Sequence, residues 1–237
     1  IPLLWKLKSI NNKAIFVWGG PHATLFPQQT AASELADIAV EGEGEETMLD
    51  IARGVESGNL DLSKIGGICY KENGEVVTTP KRPFINLDEL PSLDWNLIKP
   101  EVMEYVRKMI GRVQASRGCP FLCTFCINVV SKNQKMRYRS PELVVDEIEY
   151  LGKDFGVHRI GFRDEIFASN RRQTEEICKQ ILNRDLKISW LANPRNNYLN
   201  EKWLSDDMMD LMVRSGANKL SCGAESGSQR MQDFLKK

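Results

Sequence analysis

Three cysteines, Cys119, Cys123 and Cys126, fall within eight residues of the stretch Ser116-Arg117-Gly118-Cys119-Pro120-Phe121-Leu122-Cys123-Thr124-Phe125-Cys126, spaced C-x-x-x-C-x-x-C. Three thiolates in one tight loop can hold three irons of a cubic [4Fe-4S] cluster and leave the fourth iron without a protein ligand, open to a substrate or cosubstrate. Zinc also takes clustered cysteines, but a closed structural zinc site wants four ligands, and no fourth Cys or His follows nearby. Chance clustering of small apolar cysteines in a core is the third alternative.

Other residues with chemical capacity are scattered along the chain. Asp164 and Glu165 form a carboxylate pair that could do acid–base work, hold a cation or cap a helix. Arg195, at the end of the W-x-x-x-x-R stretch from Trp190, carries a guanidinium suited to a bidentate carboxylate clamp. Glu225 in G-A-E-S-G-S can accept hydrogen bonds from ribose hydroxyls, and Ser226 can donate to a ligand or cap a helix. Gly19 and Gly20, in Gly19-Gly20-Pro21-His22, end an apolar run and would let a ligand approach the backbone, although a plain turn needs the same glycines. The basic run Lys132, Lys135, Arg137 and Arg139 after the cysteines is a solvated face or a counter-charge to an anionic group.

Placing these residues requires the elements around them. Helical spacing of Leu3, Leu4, Leu7 and Ile10 is followed by an apolar run over 14–18, the pattern of a buried parallel strand. A second short strand over 37–40 leads through an acidic stretch into a helix from Thr47 to Val55. Strands over 65–70 and 75–79 flank Asn73-Gly74, a hairpin signal. Four prolines between 80 and 110 argue for an ordered linker, with Trp95 as its anchor to a core. Then strand and helix alternate. Strands are expected over 111–116, 157–162, 188–192 and 219–223. Helices are expected from Ser140-Pro141 to Gly156, over 171–182, over 205–214 and from about Gln229. That alternation implies a parallel sheet, open or rolled toward a barrel, with the chemical residues at the C-terminal ends of successive strands.

Composition narrows the class. The 237 residues are 42% hydrophobic and 27% charged, ordinary for a globular protein. Thirty-two basic residues balance thirty-two acidic ones, which is not the footprint of a general nucleic-acid binder. No apolar run reaches the roughly 20 residues that cross a bilayer, and the chain reads as cytoplasmic with reduced thiols. Cys69, Cys178 and Cys222 read as small buried hydrophobes. The chain starts at Ile1 rather than Met and stops inside a helical pattern, as part of a longer protein would.

The C-x-x-x-C-x-aromatic-C pattern, with Phe125 before the third cysteine, resembles the radical S-adenosylmethionine (SAM) enzymes, and its surroundings are similar to those members that carry an N-terminal cobalamin-binding domain. The resemblance implies an α/β chain. Residues 1–80 would be the closing part of a Rossmann-like cobalamin-binding domain with a β-hairpin, 81–110 a linker, and 111–237 the first four βα units of a TIM-type radical SAM barrel. It implies that Cys119, Cys123 and Cys126 bind a [4Fe-4S] cluster whose open iron is chelated by SAM, which one electron cleaves to methionine and a 5′-deoxyadenosyl radical. Phe125, Asp164, Glu165, Arg195, Glu225 and Ser226 would contact SAM, and Gly19 and Gly20 the nucleotide tail of cobalamin. The D-x-H-x-x-G motif that carries a cobalt-ligating histidine in some members does not occur here, and His22 takes no ligand role. The implied partners are a small-molecule or peptide substrate and an electron donor such as flavodoxin or ferredoxin. The implied reactions are methyl transfer, rearrangement or oxidation. A non-catalytic electron-transfer protein or a zinc-binding module is the alternative from another class.

Overall fold

A computed structural model describes residues 2–127 and 135–237, and the chain divides into two units, Ile1–Ile85 and Asn86–Lys237. No helix among the described residues is long and apolar enough to cross a membrane.

The first unit is built on a four-stranded sheet ordered β1 (Val17–Trp18), β2 (Ile38–Val40), β3 (Ile68–Glu72) and β4 (Glu75–Thr78). The β1–β2 pair is parallel and the other two pairs are antiparallel. Helices α1 (Pro2–Ile10), α2 (Pro21–Leu25), α3 (Pro27–Ala32) and α4 (Glu45–Glu56) complete it. Alternation along the strands separates two apolar layers. Ile38, Val40, Ile68 and Tyr70 pack with Ile51 of α4, while Ala39 and Cys69 pack with Ala31 of α3. Asn73 and Gly74 both have positive φ, 51° and 87°, as the tight turn between β3 and β4 requires. Strand β1 is shorter and less buried than the apolar run over 14–18 predicts. The Asp37 carboxylate accepts the Phe16 N–H at 2.7 Å and the Asp37 N–H donates to Phe16 O at 2.9 Å, so a side chain occupies the place of a ladder partner.

In the second unit the segment expected to be an ordered linker includes helix α5 (Pro100–Lys108), with Pro100 at its first turn, where a missing N–H costs nothing. Trp95 and Met103 are buried in the core of this unit. Strands β5 (Gly111–Val113), β8 (Arg159–Phe162), β9 (Ser189–Ala192) and β10 (Ala217–Leu220) form one sheet in the order β10-β9-β8-β5, parallel at every pair. Strand β5 is followed by β6 (Ser116–Arg117) and β7 (Arg137–Tyr138), a separate antiparallel ladder. Helices α6 (Pro141–Phe155), α7 (Arg171–Asn183), α8 (Asp206–Arg214) and α9 (Gln229–Leu235) alternate with the later strands.

The core of this unit lies between sheet and helices. Val144, Ile148 and Leu151 of α6, Ile177 and Ile181 of α7, and Met208 and Met212 of α8 meet Ile160, Phe162 and Trp190 of the strands. Phe162, Phe167 and Trp190 form an aromatic trio with centroids 4.5 to 5.5 Å apart. The Trp190 indole N–H donates to Ser215 O at 3.1 Å, so the buried ring leaves no orphaned donor. Strand β10 begins two residues earlier than the pattern predicts. The Trp190 N–H bonds to Gly216 O and the Ser221 N–H to Ala192 O, and β9 ends before Pro194, which leaves later residues of the run no ladder partner.

Candidate functional site

All four strands of the second sheet are parallel, so their C-terminal ends share one edge, and the segments leaving those ends come together there. A cavity of about 400 Å³ opens at that edge. Its lining includes Cys119, Cys123, Phe125 and Cys126 from the cysteine loop, Glu165 after β8, Asn193 and Arg195 after β9, and Cys222 and Glu225 after β10. Seven residues singled out from the sequence thus share one concavity. Asp164 and Ser226 are not part of that lining. Gly19 and Gly20 lie exposed at the end of β1 in the first unit.

The loop departs from the sheet through a specific substitution of partners. The Arg163 N–H closes the β5–β8 ladder on Val113 O at 2.8 Å. Immediately beyond, Asp164 takes the Ala115 N–H on one oxygen at 3.2 Å and the Ser116 hydroxyl on the other. Ser116 and Arg117 then pair with Tyr138 and Arg137 instead of continuing the main sheet. This is why the expected strand over 111–116 is split in two. Asp164, only 5% exposed, holds the base of the loop. Burial pushes its carboxyl up to about 6, against the pull of the Ser116 and Ala115 hydrogen bonds.

Gly118 makes the first bend of the loop. Its φ is +98°, and a Cβ there would stand 2.9 Å from Lys135 O, so both conformation and space demand glycine. On the return side, Arg139 donates to Gln114 O at 3.0 Å and to the buried Glu147 of α6 at 2.5 Å, and the Arg139 N–H bonds to Ala115 O at 2.9 Å. Arg139 is therefore a tie between loop and helix, not a free counter-charge. Lys135 is exposed, Arg137 is half-buried in β7, and Lys132 lies outside the described residues.

Within the loop Cys123 is buried, while Cys119 and Cys126 are half-buried. Burial pushes the Cys119 thiol up, and the charge of Arg195 acts in the opposite sense. Arg195 is 7% exposed. Its Nη1 donates to Cys123 Sγ at 3.2 Å, its Nε to Asn197 Oδ1 at 2.8 Å, and its guanidinium carbon lies 3.7 Å from the centroid of the Phe121 ring. Phe125 is 51% exposed and presents its ring at the cavity. Among the described residues no group of three His, Cys, Asp or Glu side chains is placed to hold a metal ion.

Sequence reasoning missed two features. Cys222 is half-exposed and lines the cavity, whereas Cys69 and Cys178 are buried in the cores as expected. Its position two residues beyond β10, on the rim shared by the other strands, was the available signal. The contacts of Arg195 with Cys123 and Phe121 span 72 and 74 positions in the chain and leave no local trace.

A mixed α/β fold with a cysteine loop at the C-terminal rim of a parallel sheet is a scaffold on which cofactor enzymes are built. The family model of the radical SAM superfamily matches residues 113–237, more than half of the chain, and the chain belongs to that superfamily. The superfamily uses a [4Fe-4S] cluster and SAM. An uncharacterized methyltransferase of Pyrococcus horikoshii is 35% identical over 232 residues, 97% of this chain and 49% of that protein. The anaerobic magnesium-protoporphyrin IX monomethyl ester cyclase of Rubrivivax gelatinosus is 32% identical over 240 residues, 97% of this chain and 42% of the cyclase. Among solved structures, the radical SAM methyltransferase TsrM of Kitasatospora setae, with cobalamin and a [4Fe-4S] cluster bound, superposes with a TM-score of 0.80 at 18% identity, covering 99% of this chain and 47% of TsrM. The chain spans about half the length of the curated relatives it matches.

Proposed function

We propose that the chain is a segment of a cobalamin-dependent radical SAM methyltransferase. Its 111–237 region would be the first four βα units of a barrel, and its 1–80 region the closing part of a cobalamin-binding domain. The single observation that carries the catalytic part is that the three loop cysteines and polar groups from three successive strand ends line one cavity. The donor set fits: three thiols on one short loop, two of them half-exposed toward the cavity, with a buried guanidinium beside the third. Cys119, Cys123 and Cys126 would hold a [4Fe-4S] cluster, which supplies an iron open to the amino and carboxylate groups of SAM and the electron for its cleavage.

The protein's own residues have the rest of the work. Phe125 offers a ring face to adenine, and Glu225 a carboxylate to the ribose hydroxyls. Glu165 offers its carboxylate to the SAM ammonium, and Arg195 can present its remaining guanidinium edge to the carboxylate. Asp164 serves them by fixing the base of the loop rather than by touching SAM, and Ser226 supports the turn after β10, its hydroxyl accepting the Ser228 N–H at 3.1 Å. Gly19 and Gly20 would take the nucleotide tail of cobalamin in the assembled protein. Methyl transfer is favoured by the names of the Pyrococcus relative and of TsrM. The cyclase reaction named in the Rubrivivax relative is the second reading, and it would use the same cavity. The substrate is a small molecule or a peptide, and the electron comes from a flavodoxin- or ferredoxin-like donor.

The test is anaerobic reconstitution of the full-length protein with iron and sulfide, followed by EPR of the reduced protein with and without SAM and assay of 5′-deoxyadenosine. A spectrum that changes on adding SAM is expected, and alanine at any one of Cys119, Cys123 or Cys126 should remove it. A spectrum indifferent to SAM refutes the reading. Retention of a corrinoid absorption band after desalting tests the cobalamin assignment independently of the iron.

A further inference from the structure

Among the described residues Arg195 is the one Lys or Arg that is buried. A guanidinium keeps its charge at every pH a protein meets, and burying it is costly unless an anion faces it. Arg195 pairs with no carboxylate among the described residues. Its partners are the amide oxygen of Asn197, the face of Phe121 and the sulfur of Cys123. Asn197 is neutral, and an aromatic face carries only a partial charge. The sulfur is the one partner able to carry a full negative charge.

We propose that Arg195 is a positioning residue for the iron–sulfur cluster: held between the Phe121 ring and Asn197, its guanidinium donates to Cys123 Sγ and sets the charge balance, and with it the reduction potential, of the cluster. This rests on the cluster assignment made above. It adds to a SAM-clamping role for Arg195 a second one, which operates before SAM arrives. Hydrogen bonds to ligating sulfurs and nearby positive charge both stabilise the reduced, more negative form of a cluster and so raise its potential. The geometry also fixes the loop. Phe121 lies between the first two cysteines, and Arg195 stands at the end of β9, so one side chain joins the loop to the sheet edge at two points.

The test is an EPR-monitored redox titration of the reconstituted full-length protein without SAM, comparing wild type with R195K, R195Q and F121L at matched iron content. The midpoint should move to more negative potential in R195Q. R195K should fall between R195Q and wild type, because charge is kept and the planar fork is lost. F121L should move in the same direction by less, because the ring only holds the guanidinium in place. An R195Q midpoint equal to wild type overturns the proposal. So does a result in which only the dissociation constant for SAM rises, the signature of a carboxylate clamp alone. If R195Q fails to take up iron, R195K and F121L carry the same comparison, and wild-type midpoints in both overturn it. Failure of the underlying assignment looks different, since the wild-type protein would then form no SAM-responsive cluster before any variant is made.

Discussion

Replacing Asp164 by Asn tests whether this carboxylate is a strained structural pin. Asp164 is 5% exposed, and its carboxyl is raised from 3.8 to about 6, first by burial, with no charged neighbour among the causes. Between those two values the unfolded chain has released a proton that the folded chain still holds, so stability falls as pH rises through this window and is level above it. The gap corresponds to ~3 kcal/mol at about 1.4 kcal/mol per pH unit, a cost the folded protein bears at pH 7 and is largely spared at pH 4. An asparagine at 164 can accept the Ala115 N–H through its amide oxygen and donate to Ser116 Oγ, keeping both anchors without a charge. Guanidinium denaturation from pH 4 to 7.5, followed by near-UV circular dichroism, measures the difference between wild type and D164N. D164N should gain ~2 kcal/mol on wild type between pH 4 and 7, half of it near pH 5, since at pH 4 part of the cost is already present. Parallel curves, or a wild type that gains on D164N as pH rises, would show that the two hydrogen bonds outweigh the burial and would refute the reasoning.

Gly118→Ala should cost about 1–3 kcal/mol, from strain at φ +98° and the close approach to Lys135 O, and should lower the iron bound after reconstitution, read by iron-to-protein ratio and thermal melting. Phe162→Ala removes one ring of the buried aromatic trio and should destabilise the second unit by about 3–5 kcal/mol in chemical denaturation. Arg139→Met leaves the buried Glu147 without its partner, and a loss of about 3 kcal/mol is expected on the same assay.

Local chemistry explains which parts of this architecture could be read from the sequence. Ser140-Pro141 and Gly156 bracket α6 as a start signal and a left-handed stop, and Asn73-Gly74 marks its hairpin, because each acts within one turn of chain. The alternation of strands and helices in the second unit was legible for the same reason. Where strands end was not, because an end is set by partners: β10 stops where β9 stops, and β5 breaks where the Asp164 side chain intervenes. Helix α5 was hidden because Pro100 reads as a breaker when it in fact opens the helix. At the site, the cysteine motif and the acids and arginine at the strand ends were legible by type. Their division of labour was not. Nothing near Asp164 shows that it faces Ser116 while Glu165, one residue on, lines the cavity. Nothing near Arg195 shows that one of its hydrogen-bond partners is a cysteine sulfur 72 positions away.

The break between β5 and β6 separates the packed core from the cysteine loop. The packed core of the second unit contains Val113 and Ala115 but none of the three loop cysteines, and the excursion from Gly118 to Lys135 leaves and returns through a two-residue ladder pinned by Asp164 and Arg139. Beyond that root the described part of the loop meets the rest of the unit at a few points, Phe121 against Arg195 and the Thr124 N–H on Leu235 O at 3.0 Å among them. A change in loop side chains away from those points leaves the apolar core between sheet and helices untouched, provided the two pins at its root are kept.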